Sequence, residues 1–409
     1  MKIEYKIQDR FDFGLFIPAL LLGIIGLVAI YSSTLNHPTM SGNFDKQAFW
    51  LVVSLAAFFV IYFLPQPTFK WSAILLYVVG LLLLIVVLVA GKKVYGARSW
   101  ISFGSVGFQP SEFMKMGMIF LMAFWLSMRN RNVDRVYDIA IALAIGAFPI
   151  MLILLQPDMG TSIVYMLIVL SMIFWGGISL FTLFVVISPG VVIFASLFGM
   201  IPFISTLLLV GVALFFFKRH IFTSASVFVL NLAAGFFFEY IFTLLQPHQQ
   251  RRIETFLKPD SDPLGSGYNA LQAKVAIGSG GLWGKGFLEG NQTQLRFIPE
   301  QWTDFIYCVI GEEFGFFGSV LTLALFLIIF IRLFNLSFKA KDNFSSLVVI
   351  GILTLLFVHF AINIGMNLGI TPVIGLPLPF VSYGGTSLLL NFSLLGVAAN
   401  IYKNRIQTT

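Results

Sequence analysis

The sequence predicts an all-α, polytopic integral membrane protein with about twelve transmembrane helices and one large extracytoplasmic loop. Three observations predict this class. The chain of 409 residues is 58% hydrophobic and only 11% charged, whereas soluble domains carry about 25% charged residues. Its mean hydropathy is +0.93. Its apolar residues also form successive runs of about 20 residues, which is the length that crosses a bilayer as a helix.

The first apolar run follows a short charged segment, residues 1–13. A cleaved signal peptide has a shorter apolar region followed by a small-residue cleavage site, so we expect an uncleaved first span. With about 20 residues for each helix, the predicted spans are 14–33, 47–64, 71–90, 111–128, 138–156, 159–176, 178–198, 201–217, 222–245, 305–331, 346–369 and 378–402.

The number of spans depends on residues 159–217, which contain no charged residue. We divide this stretch into three spans at two glycine-containing breaks. With both termini in the cytoplasm, twelve spans leave several basic turns on the cytoplasmic side, as the positive-inside rule requires. Two or four spans in this stretch would move Lys218 and Arg219 to the opposite side.

The same topology places three polar segments outside the membrane: 91–110, the turn at 156–158, and a large loop at 246–304. Basic residues in these segments suggest an anionic partner such as a phosphate-bearing lipid, or contact with ordinary lipid headgroups. The formal net charge of +7 does not indicate nucleic acid binding, since basic residues routinely flank membrane spans. The single cysteine, Cys308, excludes an internal disulfide.

Glu112 and Lys115 lie at the start of the fourth predicted span, three residues apart, and therefore share one helix face. An unpaired charge in the membrane costs about 3 kcal/mol or more, so we expect the two to pair. Both a structural ion pair and the lining of a water-filled cavity fit this pattern. Asp158 precedes the sixth span, where a carboxylate caps helix N–H groups or binds a ligand.

The large loop carries three aspartates that could act on a substrate: Asp260, Asp262 and Asp304. Asp262 begins the run DPLGSGY, in which proline and glycines predict a turn that can aim a carboxylate at a bound molecule. An aspartate in a turn most often caps that turn, and the residues alone do not separate the three.

Two motifs beyond the loop also carry polar groups. Glu312 and Glu313 lie about two turns into the tenth span, so at least one should face protein or water. The run PLPFVSYGGTS, residues 377–387, places prolines and glycines where the last helix begins. Such an irregular segment is tolerated where it lines a cavity. The prolines and glycines are equally well explained if they only mark where the last helix starts. No Walker or dinucleotide-binding motif is present.

Four long runs of the sequence resemble the SEDS family of peptidoglycan glycosyltransferases, and its elongation-type, RodA-like members more than its division-type members. They are GARSWISFGSVGFQPSEFMK, LLQPDMGTS, the segment from FLKPDSDPLGSGY to GEEFGFFG, and GLPLPFVSYGGTS. The resemblance covers nearly the whole chain in order. The family usually has about ten spans, and we assign the surplus to an extra helix pair at 178–221, which preserves the topology.

The resemblance implies that the chain polymerises lipid II, as donor and acceptor, into β-1,4 glycan strands, in cell elongation and cell-shape maintenance. It implies a bacterial cytoplasmic (inner) membrane location, an active site facing outward, and partners that include a class B penicillin-binding protein transpeptidase and other elongation-complex membrane proteins. Asp262 matches the family's essential aspartate. Glu112, Lys115 and Asp158 match other family elements.

The expected mechanism is a single displacement that inverts the anomeric centre, with Asp262 as general base at the acceptor hydroxyl. Cations would offset the charge of the departing pyrophosphate, with or without a divalent cation such as Mg²⁺ or Mn²⁺. Two rival functions remain open: a flippase for lipid II and a non-enzymatic scaffold. The residues expected to bind substrate or line its cavity are Arg98, Glu112, Lys115, Asp158, Lys285, Arg296, Glu300 and Asp304.

Overall fold

In the computed structural model, most of the described residues form helices. Asp260 and Asp262 lie outside the described residues, as do Lys218 and Arg219. The described residues are 10–94, 97–103, 106–128, 136–217, 220–237, 240, 242–243, 246–257 and 266–405.

Before the large loop, the described residues form nine long helices, and each coincides with a predicted span. Prolines begin two of them, at Pro67 and Pro110, where the missing N–H is not needed. These helices are α1 (Phe13–Thr34), α2 (Asn43–Phe63), α3 (Pro67–Ala90), α4 (Pro110–Leu126), α5 (Val136–Leu154), α6 (Met159–Trp175), α7 (Leu180–Ser196), α8 (Met200–Phe216) and α9 (Ile221–Phe236).

Shorter helices in the large loop precede three long C-terminal helices. The loop contains α10 (Pro247–Leu257), α11 (Ser266–Ser279) and the single turn α12 (Asn291–Gln294). The long helices are α13 (Ile306–Lys339), α14 (Asn343–Asn367) and α15 (Gly385–Lys403). Between α14 and α15 runs a non-helical stretch, residues 368–384, which we call the return segment.

The all-α membrane class is confirmed by these helices. Seven of them are long and apolar enough to cross a membrane: α1, α2, α3, α5, α13, α14 and α15. Helices α6 to α9 are apolar but shorter, at 16 or 17 residues. Helix α4 fills the remaining predicted span. The number of membrane crossings stays a prediction, because helix length alone does not fix it.

The described residues of segment 91–110, which we predict to lie outside the membrane, form a small antiparallel sheet that was not predicted from the sequence. Strands β1 (Lys92–Val94), β2 (Ala97–Phe103) and β3 (Val106–Phe108) pair in chain order. Lys93 lies opposite Arg98, and Ile101 lies opposite Phe108. Strand β2 contacts both α3 and α4.

The main core is formed where α2 packs against α15, α3 against α4, and α13 against α1 and α14. Helices α3 and α4 approach closely because Gly117 has no side chain. A Cβ atom at that position would lie 2.8 Å from the carbonyl oxygen of Leu76. Small residues permit this kind of backbone contact in membrane helices, where packing replaces the hydrophobic effect as the driving force.

Helix α13 is interrupted at Gly315, whose φ of 64° and ψ of −154° are not helical. The stretch 281–286 of the large loop lies in the break and supplies the missing backbone partners. Phe316 N donates to Gly281 O at 2.9 Å, and Lys285 N donates to Glu312 O at 2.9 Å. A broken helix is tolerated at membrane depth only where its freed backbone groups find such partners. The break therefore anchors the loop to α13.

Helices α7, α8 and α9 pack mainly on one another, and we call them the satellite bundle. They share a small core of their own, distinct from the main core and built around Val192, Phe203 and Leu207. Within it Asn231 is fully buried and donates from Nδ2 to Ser188 Oγ at 3.0 Å. An apolar cleft of about 690 Å³ separates α7 from α6, α13 and α14.

Candidate functional site

The predicted pairing of Glu112 and Lys115 is present in the structure. Lys115 Nζ lies 2.6 Å from Glu112 Oε1 in the first turns of α4. Lys115 is 0% exposed and Glu112 is 5% exposed. Taking both charges out of water is costly, and the interaction offsets this cost only because the two groups are in direct contact.

Lys115 has a second partner that the sequence analysis did not identify. Its Nζ lies 3.0 Å from His359 Nε2 on α14, and His359 Nδ1 lies 3.2 Å from the carbonyl oxygen of Pro377. A carbonyl only accepts, so Nδ1 carries the proton and Nε2 accepts from the lysine. The order of donation therefore runs from Lys115 to His359 and from His359 to Pro377 in the return segment.

His359 is the first member of a buried polar row on α14, which continues at Asn363 and Asn367 and which we call the α14 polar stripe. Asn363 Nδ2 donates to the carbonyl oxygens of Leu376 at 2.8 Å and Asp304 at 2.9 Å. Asn367 Nδ2 also donates to Asp304 O, at 3.1 Å. Residues four apart share one helix face. The spacing H-x-x-x-N-x-x-x-N in an apolar helix was the sequence signal for this stripe.

Asp158 caps the N-terminus of α6. Its carboxylate accepts from Thr161 N at 3.0 Å and from Thr161 Oγ1 at 2.8 Å. The same end of α6 contacts the return segment, since a Cβ atom at Gly160 would lie 2.6 Å from Ile374 Cγ2. One turn further, Tyr165 donates to the Ser111 carbonyl at 2.6 Å. Asp158 thus lies beside the start of α4, in a capping role.

Glu312 and Glu313 are both buried and both bonded, as the sequence analysis expected of at least one of them. Glu312 accepts from Lys285 Nζ at 3.0 Å. It also accepts from the backbone of Gln292 and from Thr293 Oγ1, at 2.9 and 2.8 Å. Ser32 Oγ on α1 donates to Glu313. These bonds hold the loop on α13, so Lys285 has a structural partner.

Arg296 and Glu300 line a small pocket of about 300 Å³ with His37, Gln301 and Trp302. Both have positive φ angles, 58° and 52°. Non-glycine residues rarely adopt this conformation, and such strain occurs at functional sites when surrounding contacts maintain it. Arg98 does not line this pocket and is exposed on β2.

Asp304 lies just before α13, against the return segment, since a Cβ atom at Gly375 would lie 3.2 Å from its Oδ2. Burial raises the pKa of this carboxyl to about 6. The nearby Glu300 raises it further, whereas Arg252 and a hydrogen bond from Thr303 lower it. Lys115 contacts His359, and Asn363 and Asn367 both donate to the carbonyl oxygen of Asp304. The α14 polar stripe therefore connects the Glu112–Lys115 pair to the backbone of Asp304.

The raised pKa of Asp304 predicts a pH-dependent contribution to stability. Below about pH 4 the carboxyl is protonated in both folded and unfolded chains, and the stabilising effect of holding this proton is complete. This effect is lost as the pH rises through about 6. We expect Asp304→Asn to unfold at a higher temperature than wild type at pH 7.5, with a difference that shrinks towards pH 4.5. Thermal unfolding of both proteins in detergent, at pH 7.5 and at pH 4.5, would measure the difference and its decrease.

Asp45→Asn, in an exposed position on α2, is the matched control for this measurement. Its difference from wild type should not follow the Asp304 profile. A difference for Asp304→Asn that stays constant with pH, or that widens as the pH falls, would contradict the assignment.

Metal ligands are not grouped in the described part of the chain. Among the described residues, no group of three or more His, Cys, Asp or Glu side chains is arranged so that it could hold a metal ion. Asp262, the expected general base, lies outside the described residues.

Comparison with known proteins gives full-length matches. A family model for FtsW, RodA and SpoVE, described as cell cycle protein, matches residues 13–201 and 190–407. The peptidoglycan glycosyltransferase RodA of Treponema pallidum is 34% identical, covering 96% of this chain and 97% of the relative. The peptidoglycan glycosyltransferase MrdB of Escherichia coli K12 is 33% identical, covering 95% and 94%.

Solved structures match over the same length. A chain from a peptidoglycan synthase complex, studied for how polymerization and crosslinking are coordinated, aligns with a TM-score of 0.73 at 28% identity. The alignment covers 97% of this chain and 99% of that chain. The rod shape determining protein RodA of Thermus thermophilus aligns with a TM-score of 0.64 at 26% identity, covering 97% and 98%.

Proposed function

The chain belongs to the FtsW/RodA/SpoVE family, the SEDS family that its sequence runs resemble, and from this premise we propose that it is a peptidoglycan glycosyltransferase. It polymerises lipid II into β-1,4 glycan strands and releases undecaprenyl pyrophosphate, in cell elongation and cell-shape maintenance. The observation that carries this proposal is the full-length likeness to relatives named peptidoglycan glycosyltransferases, at 33 to 34% identity.

The proposed reaction is one inverting displacement on a sugar. The acceptor 4-hydroxyl attacks the anomeric carbon of the donor, the bond to the pyrophosphate breaks, and Asp262 takes the hydroxyl proton. The pyrophosphate leaves with the bonding electron pair and needs no proton, so a second carboxylic acid is not required. Electrostatic stabilisation of the leaving group is then the remaining task of the site.

Four cations could offset the charge of the pyrophosphate, Arg98, Lys115, Lys285 and Arg296, and their surroundings favour one of them. Lys285 is paired with Glu312, and Arg98 is exposed on β2 and does not line the small pocket. Arg296 lies exposed beside the small pocket, and Lys115 is buried with two partners. We therefore propose that Arg296 stabilises the leaving group, and that Glu112 and Lys115 order the expected substrate cavity. The proposal assigns no residue to Mg²⁺ or Mn²⁺.

The proposed location is the bacterial cytoplasmic membrane, with both termini in the cytoplasm and the active site facing outward. The positive-inside distribution supports this orientation. We also propose that the chain works with a class B penicillin-binding protein transpeptidase, with other elongation-complex membrane proteins as further partners. The support is the structural neighbour, which comes from a complex that couples polymerization to crosslinking.

Purified protein and lipid II in detergent test the proposed function against its two rivals. A flippase or a scaffold makes no product when there is no membrane to cross, whereas a glycosyltransferase makes glycan chains. We expect chains that gel electrophoresis resolves, and no chains from an Asp262→Asn preparation purified identically, which controls for contaminating enzymes. Folded wild-type protein that leaves lipid II unchanged would contradict the proposal.

A further inference from the structure

Lys115 is held from two sides by groups on different helices. Glu112 on α4 supplies an anion at 2.6 Å, and His359 on α14 supplies a neutral nitrogen acceptor at 3.0 Å. All three side chains are buried, with His359 3% exposed. An ammonium group has three N–H donors, and these two bonds fix its direction. The position of the lysine charge therefore depends on His359 as well as on Glu112.

The histidine is itself fixed by the return segment. Its Nδ1–H donates to Pro377 O at 3.2 Å, which leaves Nε2 free of a proton and able to accept from Lys115. Both ring nitrogens are used, so the ring has one orientation and one tautomer. A protonated ring would place two cations 3.0 Å apart in a buried site.

The same helix, α14, connects this group to Asp304 at the end of the large loop. Asn363 and Asn367, one and two turns beyond His359, both bond the Asp304 carbonyl. Ser382 of the return segment donates to the neighbouring Thr303 carbonyl at 2.5 Å. The α14 polar stripe and the return segment thus form one rigid support that contacts both α4 and the end of the large loop.

We infer that His359 is a positioning residue: it holds Lys115 in the orientation in which the Glu112–Lys115 pair serves the transfer reaction. This role rests on the proposed function, since it assumes that the pair contributes to catalysis. A buried histidine with a purely structural role only satisfies its own hydrogen-bonding atoms. The positioning role proposed here acts on one atom of another residue, Lys115 Nζ.

Two conservative variants separate the two ring nitrogens. A glutamine amide reaches the place of Nε2, so His359→Gln keeps the bond to Lys115. An asparagine amide reaches only the place of Nδ1, so His359→Asn keeps the bond to Pro377 and leaves the lysine without its second acceptor. We expect polymerisation within about threefold of wild type for Gln, and a loss of roughly tenfold or more for Asn, as for a lost hydrogen bond to a charged group.

A third variant tests whether the histidine acts through the lysine. In a Lys115→Met background the Gln and Asn variants should have equal activity, because the group that His359 positions is gone. His220→Gln is the control, at an exposed position before α9, and should be as active as wild type. Thermal unfolding midpoints of all the variants would separate loss of fold from loss of positioning.

The inference fails if His359→Asn is as active as His359→Gln, or if Asn is the better of the two. It also fails if the Gln–Asn difference persists without Lys115. Either result leaves the proposed function intact, provided that the wild-type protein makes glycan chains. Inactive wild-type protein would instead overturn the proposed function.

Discussion

Replacing Asp262 by asparagine should lower the rate of lipid II polymerisation at least about 100-fold. Asparagine has the shape of aspartate but does not take up a proton, and general-base catalysis typically contributes about 10²–10⁴-fold. The rate of lipid II consumption by purified protein in detergent would measure the loss. Asp262 lies outside the described residues, and its assignment follows from the run DPLGSGY and the family likeness.

The matched control for this variant is Asp260→Asn, two residues earlier in the same loop. It makes the same chemical change with nearly the same effect on loop charge, and we expect activity near that of wild type. Equal activity in the two variants, whether high or low, would remove Asp262 from the role of general base. The unfolding midpoints of both should be compared with that of wild type, so that a loss of activity is not confused with a loss of fold.

Breaking the Glu112–Lys115 pair should cause the second large effect, and it should alter both stability and activity. Glu112→Gln leaves Lys115 without a counterion, and Lys115→Met leaves a buried carboxylate. An uncompensated buried charge costs about 3–5 kcal/mol. We expect each single variant to unfold at a lower temperature and to lose at least about tenfold in polymerisation. Thermal unfolding and glycan synthesis on the same preparations would measure both.

The double variant, Glu112→Gln with Lys115→Met, separates a packing role from a functional one. It removes both charges and keeps similar volumes, so stability should return towards that of wild type. Activity should stay low if the pair orders the substrate cavity. Recovery of both stability and activity in the double variant would show that the pair only packs.

The positions of the helices could be predicted from the sequence because hydropathy is a local property. The predicted span 111–128 coincides with α4 to within two residues at either end, and 305–331 matches the first 26 residues of α13. The pairing of Glu112 with Lys115 was also predictable, since three residues along a helix fix their separation. The break at Gly315 was not predicted, because it depends on a loop segment that enters from elsewhere in the chain.

The parts of the site that escaped prediction depend on contacts between residues far apart in sequence. His359 is 244 residues from Lys115 in the sequence, and no pattern within either helix indicates that the two side chains are in contact. Lys285 was expected to bind substrate or line its cavity, but it pairs with Glu312, which is 27 residues away in the sequence. The small sheet at 92–108 was not predicted because two of its strands have only three residues each.

The satellite bundle bears on how far a substitution in one part of the chain is felt in another. Its three helices bury Val192, Phe203 and Leu207 among themselves rather than in the main core. Sites far apart with no shared partners affect stability independently. Substitutions in α7 and α8 should therefore be limited by their fit within these three helices and by the surrounding lipid, and should leave the positions of Lys115 and His359 unchanged.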